Sequence, residues 1–239
     1  MIHHPYKVIF FDAGGTLLHP YPSVGELYEV VGRRYGSKAK SHEIQVKFME
    51  EWRKRDGMAQ LTGHLDEKIE KEWWKNIVKD VFDPFGPIKN FEGFFDELYD
   101  VFAHPDSWQV YPGTREVLES LRKKGKRLAI ISNWDSRLFK LCDELGLSNY
   151  FEFILASAVF GSSKPGAKIF EEALKRMNVA AHEALHIGDS FEDDIKGASA
   201  IGIHTVLIDR HAHYEPHPKH PIHPHHVIRD LKELIDTPR

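Results

Sequence analysis

The sequence predicts an α/β fold: a parallel sheet interrupted after its first strand by a helical insertion. Three observations carry this. Val8-Ile9-Phe10-Phe11 is an apolar run ending in Asp12 and then Gly14-Gly15, the pattern of a buried strand that turns sharply at the carboxyl edge of a sheet. From Trp108 onward, short apolar runs alternate with amphipathic segments, which implies parallel strands covered on both faces. Between these parts, from about Val24 to Ala103, apolar residues recur at threes and fours among many charges, with no strong strand signal.

The elements follow in order. After the first strand, His19-Pro20-Tyr21-Pro22 reads as a loop. In the helical stretch Leu27, Val30, Val31 and Tyr35 share one face, and Ile69, Trp73, Ile77 and Val81 share another; Asp83-Pro84-Phe85-Gly86-Pro87 divides it. Pro112-Gly113-Thr114 opens a helix over Arg115–Lys124 that Gly125 closes. Leu128-Ala129-Ile130-Ile131 is a strand ending at Ser132-Asn133, followed by a helix that Gly146 stops. Phe153–Ala156 is a short strand and Ile169–Met177 a helix. Ala184-Leu185-His186-Ile187 is a strand ending at Gly188-Asp189, Ile195–Ala200 a helix, and Thr205–Ile208 a strand. His211–His226 alternates histidine with proline, which forbids a regular helix and reads as an extended, solvated loop without fixed coordination geometry. Val227-Ile228 and Leu231–Ile235 suggest a last strand and helix.

Composition narrows the function. A net charge of -4 argues against a nucleic-acid or membrane-surface binder, which usually carries a basic excess. No apolar run approaches the roughly 18 residues that a membrane helix needs. Met1–Pro5 runs straight into the first strand, so no signal peptide is expected. Cys142 is the single cysteine, which points to a reducing, cytoplasmic setting. It lies in an amphipathic pattern, so a small core residue is expected rather than a nucleophile.

Ligands of open parallel sheets sit beyond the carboxyl ends of the strands, and four groups fall there. Asp12 is a candidate nucleophile and cation ligand. Ser132 and Asn133 read as the opening of a helix, where hydroxyl, amide and free N–H groups suit a phosphate. Lys164 offers positive charge near developing negative charge. Asp189, with Asp193 and Asp194 close behind, supplies hard oxygen ligands suited to Mg²⁺. Singly, each has an equally good bland reading: a cap, a turn, a solvated lysine, an acidic first helical turn. Their order and shared position argue against chance.

Asp12-Ala13-Gly14-Gly15-Thr16, Ser132-Asn133, Lys164-Pro165 and Gly188-Asp189-Ser190-Phe191-Glu192-Asp193-Asp194 resemble the four motifs of the haloacid dehalogenase (HAD) superfamily. Trp108-Gln109-Val110, Ile131-Ser132-Asn133 and the Trp73-Trp74 pair are similar to its haloacid dehalogenase-like hydrolase domain-containing branch. The resemblance implies a Rossmann-like core, residues 1–20 and 108–239, with a C1-type helical cap over 21–107. It implies that Asp12 attacks phosphorus to form an aspartyl-phosphate that water hydrolyses. Mg²⁺ would be held by Asp12, the Gly14 carbonyl and Asp189, with Asp194 in the same cluster. Thr16, Ser132 and Lys164 would orient the phosphoryl group of a small phosphorylated metabolite, and the cap would select it. Trp52, Trp73 and Trp74 are candidate pocket residues, with packing in the bundle core the favoured reading for Trp73.

One position departs from the pattern. Phosphatases of the family usually carry an acid-base aspartate where this chain has Gly14, which predicts weakened catalysis unless His19 or the cap supplies an acid. A catalytically silent binding protein of the same fold and a phosphonate-cleaving member with a cap lysine such as Lys54 are the alternatives. Dehalogenases also lack that aspartate, but they need no metal and lack the acidic fourth motif.

Overall fold

The computed structural model describes residues 6–58, 67–215 and 222–235. In chain order the elements begin with β1 (Val8–Phe11) and β2 (Leu18–Pro20), then four helices, α1 (Val24–Arg34), α2 (Ser41–Lys54), α3 (Glu67–Phe82) and α4 (Phe91–Ala103). The chain returns through β3 (Trp108–Val110), α5 (Thr114–Lys123), β4 (Arg127–Ser132), α6 (Arg137–Glu144), β5 (Ile154–Ala156), α7 (Ser157–Phe160) and α8 (Ala167–Met177). It closes with β6 (Ala184–Gly188), α9 (Gly197–Ala200), β7 (His204–Ile208) and β8 (His226–Ile228).

Six strands form one parallel sheet in the order β5-β4-β1-β6-β7-β8. All four residues of β1 are buried, because the strand is central and covered on both faces. Strand alternation divides them: Ile9 and Phe11 pack with Val117, Leu118, Leu138 and Leu141 of α5 and α6, while Val8 and Phe10 pack with Ile169, Phe170, Ala173 and Met177 of α8. Phe11 pairs with Ile130 of β4 and Ile187 of β6. This register brings Asp12, Ser132 and Asp189 to one end of three adjacent strands. Cys142 is buried, and burial pushes its thiol up to about 12, so it is an inert core residue.

Helices α1 to α4 enclose their own apolar cluster, centred on Tyr28, Phe48, Ile77, Phe82, Phe94 and Leu98. Ser23 caps α1 and Asn90 caps α4 through side-chain oxygens that accept from Glu26 N and Gly93 N. Val31, Ile77 and Val81 are buried as expected, with Tyr35 and Trp73 packed against them, but two expected positions are not. Val30 is 57% exposed and Ile69 49%. The inward stripes run through Tyr28, Val31 and Gly32 in α1 and Glu70, Ile77 and Val81 in α3.

Two local expectations are corrected. The loop expected at His19-Pro20 is strand β2, paired antiparallel with β3 so that His19 faces Gln109. This ribbon joins both ends of the helical insertion to the sheet. The helix expected over Ile195–Ala200 is a π-helical turn, Phe191–Lys196, running into α9; the wider turn carries both Asp193 and Asp194.

The insertion is fastened over the carboxyl end of the sheet by a polar cluster. Asp135, fully buried, accepts two bonds from the Arg137 guanidinium, at 3.0 and 2.6 Å, and one from Trp74 Nε1 of α3 at 2.7 Å. Arg137 stacks 4.0 Å from the centre of the Tyr99 ring of α4. Glu70 Oε2 accepts from Ser136 Oγ at 2.6 Å. Removing one partner of a buried ion pair strands the other, at a cost of about 3–5 kcal/mol. Asp135→Ala is therefore expected to destabilise the fold by about 3 kcal/mol in urea denaturation. A loss below about 1 kcal/mol, the level of an exposed pair, would show that the cluster contributes little.

Candidate functional site

Asp12 follows directly on β1 and is 6% exposed. Ser132 Oγ donates to its Oδ1 at 2.8 Å, and Lys164 Nζ donates to the same oxygen at 2.7 Å. Lys164 is 2% exposed and also donates to Asp194 Oδ1 at 2.5 Å. Burial alone would discharge a lysine, but the two carboxylates outweigh it and hold its pKa above the usual lysine range. Burial raises the Asp12 carboxyl, opposed by Lys164. Burial also acts upward on Asp194, yet Lys164 and the bond from His186 outweigh it and hold Asp194 below the ordinary carboxylate range.

Asp12, Asp189 and Asp194 bring carboxylate oxygens within 4.8 Å of one another, among the described residues the one such cluster of potential metal ligands. Asp189 is open to solvent in the cavity but crowded by protein. Desolvation first, then the negative charges of Asp12 and Asp194, push its carboxyl up to about 8. Asp193, on the same turn, is raised by burial to about 6. A cation among these groups relieves the repulsion, and the all-oxygen donor set suits a hard ion. Gly15, at φ +74°, leaves room here: a Cβ at this position would clash with the Asp189 carboxylate.

The other expected residues divide. Gly14 lines the cavity beside Asp12. Thr16 is fully buried and does not line the cavity; its hydroxyl reaches toward Asp189 Oδ1 at 3.4 Å. Ser132 and Asn133 do not open a helix, because α6 starts only at Arg137. Asn133 instead clamps the Lys164 backbone, donating to its carbonyl at 2.9 Å and accepting from its N–H at 2.8 Å. It thereby fixes the loop that aims the ammonium. His19 lines the cavity from β2, its ring tilted against that of Tyr111 with the centres 4.5 Å apart. Lys54 is exposed and paired with Glu51, and among the described residues no lysine of the helical insertion lines the cavity. The histidine-rich loop lies partly outside the described residues, which omit 216–221.

Three supporting residues were missed. His186, fully buried in β6, has its Nε2 2.8 Å from Asp194 Oδ1; the carboxylate accepts, so the ring is the Nε2–H tautomer, and burial lowers its pKa and keeps it neutral. Its signal was a polar residue inside an apolar run. Arg210 donates to the Thr16 carbonyl at 2.9 Å and stacks on Tyr111, tying down the loop after Asp12. Trp134 packs over Gly14, and a Cβ on Gly14 would lie 3.1 Å from its ring.

These groups form the floor of a cavity of about 650 Å³ whose walls and roof come largely from the helical insertion. Trp52 and Trp74 line it; Trp73 does not, and packs in the helical core. A carboxylate held against an ammonium at the closed end of such a cavity can attack an electrophile, and the carboxylate cluster beside it can hold a cation.

The haloacid dehalogenase-like hydrolase family profile matches residues 6–202. The chain is similar to haloacid dehalogenase-like hydrolase domain-containing protein 3 of Mus musculus, 32% identical over 204 residues, covering 84% of this chain and 81% of that protein. It is similar to the crystal structure of a HAD phosphatase from Thermococcus onnurineus, with a TM-score of 0.66 and 27% identity over 95% of both chains. It shares its fold with the HAD-hydrolase YfnB from Bacillus subtilis, with a TM-score of 0.77 and 20% identity over 97% of both chains. The chain belongs to the haloacid dehalogenase-like hydrolase family.

Proposed function

We propose that this protein is a Mg²⁺-dependent phosphohydrolase that acts on a small phosphorylated substrate through an aspartyl-phosphate on Asp12. The observation that carries the reading is the paired engagement of Asp12 Oδ1 by Lys164 and Ser132 at the floor of the cavity. Similarity to a HAD phosphatase supports the phosphoryl chemistry. Asp12, the Gly14 carbonyl and Asp189 would hold Mg²⁺, with Asp194 completing the acidic cluster. Mg²⁺ supplies charge neutralisation for the phosphoryl oxygens and the carboxylates around them.

Within the chain, Lys164 and Ser132 hold the Asp12 carboxylate in place for attack on phosphorus. The ester P–O bond breaks and its electron pair leaves with the substrate oxygen. Water then cleaves the aspartyl-phosphate, regenerating Asp12 and releasing phosphate. His186 and Asp194 act through Lys164, holding the ammonium between two carboxylates. Residues 21–107 act as a cap that excludes water and selects the leaving group. Gly14 supplies no proton in either step, so turnover is slow on poor leaving groups. One observation favours a silent binding protein as the second reading: the Trp134 indole sits against the position where an acid-base side chain would stand.

A panel of phosphorylated metabolites assayed with and without Mg²⁺ tests the proposal. Turnover with metal and none without it is expected; inactivity across the panel with Mg²⁺ bound would favour the second reading. The metal has its own signature. Asp189→Ala should abolish Mg²⁺ binding in titration calorimetry, and equal affinity would remove Asp189 from the site. Because burial and the charges of Asp12 and Asp194 push the Asp189 carboxyl up to about 8, protons compete with Mg²⁺ below that pH. Apparent affinity should therefore rise roughly tenfold per unit between pH 6 and 8 and then level off. A flat profile would show that the carboxylates are already ionised.

A further inference from the structure

The floor of the cavity is charged, but the space above it is not. The walls there carry Phe48, Trp52, Trp74, Phe95, Trp108 and Trp134, with few polar groups between them. Most of those groups are already bonded within the protein. Arg137 is engaged by Asp135 on two nitrogens. Gln45 Oε1 accepts from Gly25 N at 2.9 Å, and Ser23 Oγ donates to Glu26 at 2.7 Å. The indole N–H of Trp74 is bonded to Asp135, and that of Trp108 to the Phe102 carbonyl. The phenol hydroxyls are the exceptions: Tyr99 Oη is buried with no partner among the described residues, and Tyr28 also lines the chamber.

A sugar phosphate brought here would lose the water around several hydroxyls and gain few hydrogen bonds from the described residues, and each unmet group is costly. Among the described residues, a second phosphate or a carboxylate would meet no unpaired cation in the upper chamber. An aromatic ring meets aromatic faces. Trp108 and Trp134 lie 4.9 Å apart next to the floor, and Trp52 and Trp74 stack at 5.9 Å farther up. The leaving-group chemistry points the same way. With Gly14 beside Asp12 and an indole over it, no acid is positioned there to protonate a departing alkoxide. A phenolic oxygen leaves as the aryloxide and takes its proton from solvent afterwards.

We infer that the substrate is an aryl phosphate, a phosphomonoester of a phenol-type hydroxyl on an apolar ring system, with its ring in the chamber between the helical insertion and the Trp108–Trp134 pair. This rests on the phosphohydrolase reading above. The step balances: an Asp12 oxygen forms the bond to phosphorus, the aryl P–O bond breaks, and the electron pair leaves on the aryloxide.

The test separates the ring site from the chemistry. Benzylphosphonate and methylphosphonate are titrated into the Mg²⁺-loaded protein. The ring should tighten binding by about 10–10²-fold, from the apolar area it buries. Met49→Glu, which places a charge at the partly exposed rim of the chamber, should narrow that gap. In parallel, turnover is measured on 2-naphthyl phosphate, ribose 5-phosphate and acetyl phosphate, which has no ring and a leaving group that needs no proton. Acetyl phosphate turnover combined with equal affinity for the two phosphonates overturns the aryl assignment and leaves the hydrolase standing. Tighter benzylphosphonate binding with no turnover of any substrate sustains the ring site and overturns the hydrolase. Ribose 5-phosphate outrunning 2-naphthyl phosphate in kcat/KM also overturns the aryl assignment.

Discussion

Asp12→Asn is expected to lower turnover of every accepted phosphate ester by at least ~10⁴-fold, the scale lost when a covalent nucleophile is removed. The substitution preserves shape. An amide oxygen can still accept from Ser132 and Lys164, which both engage Oδ1, but it cannot displace an alcohol from phosphorus at a useful rate. The fold should tolerate the change, because Lys164 keeps Asp194 as a counter-ion at 2.5 Å. The electrostatics even predict some relief: Asp189 is raised partly by the charge of Asp12, so its carboxyl should ionise at lower pH in the variant. Steady-state rates at saturating Mg²⁺, with thermal unfolding as the control for folding, decide the matter. A variant that keeps more than ~10% of the wild-type rate while fully folded would exclude an aspartyl-phosphate on Asp12.

That residue was legible because its position is fixed by local pattern. An apolar strand, a carboxylate and two glycines say where the strand ends and how the chain turns, and the same logic located Asp189 after β6. The register of three parallel strands then brings the two together. Other residues were legible by type but not by role. Ser132 and Asn133 suggested a helix terminus, yet α6 begins too late to offer its N–H groups, and their bonds run to Asp12 and to the Lys164 backbone. Those partners lie far away in sequence. The β2–β3 ribbon was missed for the same reason, since three residues containing a proline acquire strand pairing only from a segment on the far side of the insertion. In α1 and α3 the expected stripes hold at Val31, Ile77 and Val81 but fail at Val30 and Ile69, because those two look like core residues and the inward Gly32 and Glu70 do not. Glu70 is inward because Ser136 receives it, a partner that no helical periodicity reveals.

Gly14 is where sequence and structure give different answers to one question. From the sequence alone, restoring the absent carboxylate with Gly14→Asp should raise turnover on alkyl phosphates by up to ~10²-fold or more, as a positioned acid-base group does. The structure adds a neighbour. A Cβ at position 14 would stand 3.1 Å from the Trp134 ring, and that ring is 9% exposed and packed against Trp108. Gly14→Asp alone must push aside an indole already packed against Trp108, so its gain should be smaller and its stability reduced by about 1 kcal/mol through overpacking. Gly14→Asp combined with Trp134→Leu vacates the space and should recover the full ~10²-fold gain on alkyl phosphates. Acetyl and p-nitrophenyl phosphates should gain little, because their leaving groups need no proton. The double variant should also show weaker sensitivity to leaving-group pKa than wild type. It should lose any pre-steady-state burst, since the new carboxylate can activate the water that cleaves the aspartyl-phosphate. A leaving-group series on the wild type, both single variants and the double variant measures all of this. If Gly14→Asp alone gives the whole gain, Trp134 is not the obstacle; if the double variant gains nothing, the proton donor stands elsewhere, and His19 on β2 is the next residue to substitute.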